Sequence, residues 1–141
     1  MDEAFETIYA ILDWWDGPVE GIADFRGAPH YFLETFDEVE DDFTNLFLLK
    51  PLDAAAFQMA MEIWEIWLRW IGAYNAGETT LETHPALPYD RERYNTVQEI
   101  LKPQLTIVPE HAVHARAHFL WDKENTRFIT KEPSRVRWIP E

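Results

Sequence analysis

The chain has 141 residues, 47% of them hydrophobic, with seven tryptophans, no cysteine and a formal net charge of −14. A chain of this length can bury roughly 70% of its unfolded surface, so residues 1–141 are expected to form a single domain, and the missing cysteines exclude disulfides, thiol nucleophiles and cysteine-ligated zinc. No apolar run approaches the roughly 20 residues of a membrane span and the start, MDEAFETIYA, is acidic where a secretory signal is basic, which predicts a cytoplasmic protein that engages no membrane.

Residues 5–15, FETIYAILDWW, are rich in β-branched and aromatic types and stop at Gly17-Pro18, the pattern of a strand closed by a turn. VEGIADF (19–25) and APHYFLETF (28–36) flank Arg26-Gly27 and read as a tight hairpin of undetermined turn type. TNLFLLKPL (44–52) reads as a fourth strand stopped by Pro51, completing an antiparallel meander.

From Asp53, an expected N-cap, to Ala76 the polar residues Gln58, Glu62, Glu65 and Arg69 recur at helical spacing and draw one narrow stripe. Glu65 and Arg69 have the favourable i,i+4 ion-pair order, and Gly77 is the expected C-cap. Nearly everything off the stripe is large and apolar, so this helix needs cover on more than one side, from the rest of the chain or from a second copy. ETTLETHPALP is a loop, and Asp90 to Leu101 reads as a shorter, more polar helix. HAVHARAHFLW and SRVRWIP then supply a C-terminal hairpin. The expected fold class is α+β: an antiparallel sheet with the long Trp-rich helix and the shorter helix packed on one face. The basic strand with Arg135 and Arg137 is expected beside an acidic N-terminal strand, where mixed-sign cross-strand pairs offset charge.

Strand alternation sends Trp14 and Trp15 to opposite faces, so one should look inward and the other outward. His111, His114 and His118 would share a face on a helix and could there hold zinc or iron. On a strand His114 and His118 lie about 13 Å apart, too far for one ion. The alternation of Val113, Ala115, Ala117 and Phe119 with His114, Arg116 and His118 favours the strand, and no metal or cofactor is expected. FDEVEDDF (36–43) lacks the alternating acids and turn glycine of an EF-hand; Phe36, Val39 and Phe43 fall at helical spacing and could pin a single turn on the core. The chain has no Walker A loop, GxGxxG or HExxH, and its one serine, Ser134, has no nucleophile elbow.

Charge is distributed unevenly. Residues 1–53 hold 14 acids and two bases, a net −12, whereas residues 111–141 carry a net +2. Such a field repels nucleic acid and attracts basic protein surfaces. The leading expectation is therefore a non-enzymatic interaction domain, inhibitor- or immunity-like, that engages a basic protein through Asp16, Glu20, Asp37, Glu38, Glu40, Asp41 and Asp42. The alternative is a domain that binds a sugar or cationic ligand, or an enzyme, built on Trp14, Trp15, His30, His114, His118 and Trp121, with Asp24 or Asp16 orienting the histidines. A homo-oligomer is compatible with either.

Overall fold

The structure, a computed structural model, describes residues 5–120, 126, 127, 130, 131 and 135–141. Trp121 and Ser134 lie outside them. Four strands come first: β1 (Glu6–Trp14), β2 (Pro18–Phe25), β3 (Ala28–Asp37) and β4 (Asp42–Pro51). Helices α1 (Ala54–Asn75) and α2 (Pro88–Leu101) come next, with short 3-10 turns after them. Strand β5 (Val113–Leu120), a two-residue ribbon β6 (Thr126–Arg127) and β7 (Thr130–Lys131), and β8 (Arg135–Pro140) complete the chain. Two compact units result: residues 53–106 form a helical unit, and the remainder a β unit.

The antiparallel sheet expected from the sequence is present, and it closes on itself: the strand order is β1-β2-β3-β4-β5-β8, with β8 returning to β1. Closure gives the sheet an interior filled by its own strands. Phe32 of β3, Phe47 of β4 and Trp138 of β8 meet there with ring centroids 5.5–5.8 Å apart in tilted and edge-to-face contacts, and the Trp138 indole N–H donates to the Asp24 carbonyl at 3.0 Å. Burying such a ring stabilises the fold by about 3 kcal/mol. Gly21 lies where β1 and Phe32 crowd β2: a Cβ there would sit 2.2 Å from the Ala10 carbonyl oxygen and 2.8 Å from the Phe32 ring.

β8 lies beside β1 as expected, but the facing pairs are Glu6 with Val136 and Thr7 with Arg135, not opposite charges. The C-terminal segment instead makes its ion pair between Arg116 and Glu141, at 2.9 Å. Strict alternation also fails in β1, whose pairing with β2 shifts between Ile8 and Ala10 and again on either side of Asp13. A bulge rotates the residues beyond it, so the consecutive residues Ala10 and Ile11 are both buried.

In the helical unit the Asp53 carboxylate caps α1 by accepting the Ala56 N–H at 2.8 Å. The other end closes with Gly77 at φ +78, its N–H on the Tyr74 carbonyl and that of Glu78 on Ala73, a left-handed stop that glycine adopts at least cost. Ala76 is the cap residue itself, one position before the glycine. The polar stripe does not form the expected Glu65–Arg69 pair. Arg69 reaches across to Asp90 of α2 with two hydrogen bonds of 2.9 and 3.0 Å, and Glu62 takes Arg93 in the same way. Two of the four stripe residues, Glu62 and Arg69, thereby join α1 to α2, while Gln58 and Glu65 stay exposed. Tyr74 is the one large apolar side chain of α1 that is exposed; it stacks on Trp70, whose indole N–H donates to Thr83.

Candidate functional site

Successive antiparallel turns alternate between the two ends of a barrel, so the β1–β2 and β3–β4 turns share one end. Continuing the β2–β3 register of Glu20 with Leu33 sets Pro18 level with Thr35, and β3 and β4 run on past that level as a projecting hairpin.

The projection is built around a bulge. Pairing of β3 with β4 slips between Glu34 and Phe36, leaving Thr44, Asn45 and Leu46 of β4 without regular partners in β3. Asn45 takes a left-handed φ of +69, and its N–H donates to Glu34 Oε2 at 2.7 Å. The Thr35 and Thr44 hydroxyls are hydrogen-bonded, and Thr35 also donates to the Leu46 carbonyl at 3.2 Å. Bulges strengthen local twist and re-aim the strand beyond them. Above this one, Phe36 and Phe43 meet edge to face and Asp37 pairs with Asp42.

Asp37 Oδ1 then accepts the N–H groups of Val39 and Glu40, at 2.9 and 3.3 Å, and holds the turn. Residues 36–43 therefore form a hairpin tip, not the single pinned helical turn that their spacing suggested, and Val39 is 91% exposed. Glu38, Glu40, Asp41 and Asp42 surround it, all exposed, and no ion pair among the described residues involves them.

The β1–β2 turn adds Trp15, 66% exposed, and Asp16 at φ +58 to the same end. Trp14 is 37% exposed, so neither indole is buried, contrary to the inward-outward split expected from alternation. The bulges beside Asp13 remove the parity on which that split depends, and Trp15 lies past the end of β1.

Glu20 differs from the other expected partner-binding acids. It is half-buried, as Asp37 is, but its Oε2 accepts a side-chain hydroxyl, that of Tyr31, at 2.6 Å. Burial and this neighbouring carboxylate hold the Tyr31 phenol far above the ordinary tyrosine value. Burial likewise raises Glu34; the Asn45 N–H works against that rise and the charge of Asp42 adds to it.

The expected ligand-binding set is not brought together. His30 is buried, its Nδ1–H donates to the Ala28 carbonyl at 2.8 Å, and Phe25 meets it edge to face. His114 and His118 are exposed on one face of β5, which is a strand, roughly 13 Å apart. Each has its own neighbour: His114 Nε2 donates to the Pro109 carbonyl at 2.9 Å, and His118 packs against Phe5. Asp24 accepts the Tyr9 hydroxyl at 3.0 Å and orients no histidine. Among the described residues no three His, Asp or Glu side chains converge as a metal site, and no helix is long and apolar enough to cross a membrane.

Sequence reasoning found the acids and the tryptophans of this end but not the bulge residues Glu34 and Asn45 that aim the acidic hairpin. The one available signal was Asn45 itself, a residue tolerant of left-handed backbone in the middle of a strand pattern. Comparison of the chain with family models, with curated proteins and with solved structures gives no match.

Proposed function

We propose that the protein is a non-enzymatic interaction module that engages a basic protein surface through this end of the barrel, in the manner of an inhibitor or neutralising protein. The observation that carries the reading is the arrangement of Asp37, Glu38, Glu40, Asp41 and Asp42 about an exposed Val39 on a hairpin that projects from the barrel. Uncompensated charge of one sign steers a complementary partner, and an apolar residue among the acids gives the docked surface something to desolvate. Trp15 on the neighbouring turn has the size and exposure of an interface anchor.

The test uses the whole chain as bait in host lysate, beside a variant carrying Glu38→Gln, Glu40→Gln and Asp41→Asn. The hydrogen bonds that hold the tip use the carboxylates of Asp37 and Asp42 and none of these three, so the hairpin is kept. A basic protein retained by the native chain, eluted by salt and missing from the variant supports the reading. Equal retention by both proteins, or retention indifferent to salt, overturns it, as does the absence of any retained protein.

A further inference from the structure

At the opposite end, among the described residues, β8 runs on past its pairing with β1. β1 meets β8 only through Glu6–Val136 and Thr7–Arg135; beyond Val136, β8 is paired on its β5 side alone among the described residues. An open depression of about 710 Å³ lies there, between the β2–β3 turn, Glu6 and the last residues of β8. Its volume falls within the range of small-molecule sites, roughly 300–1,000 Å³.

Its walls divide by chemistry. Ile139 and Pro140 give exposed apolar surface, with the edges of Phe25 and Trp138, each 6% exposed, beneath it; Glu6, Arg26 and Arg137 give charge. Glu6 is already occupied: its two oxygens accept the backbone N–H groups of Arg26 and Gly27, at 3.0 and 2.8 Å, and so cap the turn. No ion pair among the described residues involves Arg26 or Arg137. Each guanidinium rests on a ring, Arg26 over Phe25 at 4.8 Å and Arg137 over Phe5 at 5.7 Å, which limits the freedom it would lose on binding. The Arg137 Nε is shut off from solvent and has no acceptor among the described residues, so it is the guanidinium's terminal nitrogens that can meet a ligand.

The turn supplies an independent argument. Arg26 and Gly27 both have positive φ, +55 and +80, in a two-residue hairpin. Asn, Asp or Gly adopts the first of these positions at lower cost than arginine does. The residue present is thus a poor choice for the turn and a good one for an anion, and backbone cost of this kind concentrates at functional positions.

We propose that this depression binds a small organic anion, a carboxylate on an aryl or alkyl body. Arg26 and Arg137 hold the carboxylate, and Ile139 and Pro140 cover the body, which rests over the exposed edges of Phe25 and Trp138. A bare inorganic anion would leave the apolar walls unused, and a neutral molecule would leave the arginines unmet.

The experiment titrates the full chain with 4-phenylbutyrate at low salt and follows the Trp138 indole N–H by NMR, with 4-phenylbutyramide and inorganic phosphate as comparison probes. Phenylbutyrate should shift this resonance saturably and the other two should not. Arg26→Asn keeps the turn, so it should leave Tm unchanged or raised while weakening binding on the order of tenfold or more. Arg137→Gln should weaken it similarly. An unmoved Trp138 resonance, an equal response to the amide or to phosphate, or undiminished affinity in folded Arg26→Asn would overturn the proposal.

Discussion

Glu34 closes the β4 bulge by accepting the Asn45 N–H at 2.7 Å while only 8% exposed itself. A carboxylate in that position is held protonated above its ordinary value of 4.5, chiefly by burial. The folded state then binds the proton more tightly than the unfolded chain does. Its contribution to stability is full below the ordinary glutamate value and is lost as pH rises through the elevated folded value. Glu34→Gln removes this dependence. The difference in Tm between Glu34→Gln and the native chain should move in favour of the variant as pH rises from about 4 to 7; parallel Tm profiles would show that Glu34 does not titrate in this way.

Two glycine-to-alanine substitutions should act in opposite directions. At Gly21 the new methyl would collide with the Ala10 carbonyl and the Phe32 ring, neither of which can withdraw from a packed barrel, and the loss should be about 3 kcal/mol or more. At Gly72, on the exposed side of α1, it meets nothing within 4 Å and should stabilise by about 1 kcal/mol through helix propensity. Denaturant unfolding of both variants checks the pair.

The two bridges between α1 and α2 should differ in weight despite similar geometry. Asp90 is 8% exposed, so Asp90→Ala removes charge-assisted bonds at a site where water is a poor substitute, with an expected cost of about 1–2 kcal/mol. The Glu62–Arg93 pair is solvated on both sides, and Glu62→Gln should produce no measurable loss. Unfolding in low and high salt separates them: salt should erase what little Glu62 contributes and leave most of the Asp90 effect.

Asp53→Ala should destabilise the chain by about 1 kcal/mol, because the Ala56 N–H loses its acceptor at the start of α1. Asp53→Asn or Asp53→Ser should restore most of it. A calorimetric comparison of the three distinguishes the cap from a general effect of removing one acid.

The meander, the long helix and its two ends were legible because each is written locally: alternating β-branched and aromatic residues, proline and glycine breaks, an apolar helix from Asp53 to Gly77. Closure of the barrel was not: the basic strand was expected beside an acidic N-terminal strand, but no local pattern specifies that β8 pairs with both β1 and β5 and so shuts the sheet. Local bulges defeated the tryptophan reading. An inserted residue in β1 changes the face of everything beyond it and leaves no mark in composition. The Glu65–Arg69 pair failed for a third reason: a competing acid, Asp90, lies 21 positions from Arg69 and offers two bonds in a drier setting. The acidic end was legible as charge, while the bulge that projects it required backbone geometry.

β8 pairs with both β5 and β1 and brings Trp138 to Phe32, Phe47 and the Asp24 carbonyl. During synthesis the barrel therefore cannot shut until residues 135–140 have emerged, and both β1 and β5 keep a bare edge until then. The helical unit, whose contacts are close in sequence, can form first. A ribosome that stalls or stops short of Arg135 releases a sheet with two sticky edges, so the final strand serves as the protein's protection against aggregation as well as part of its wall.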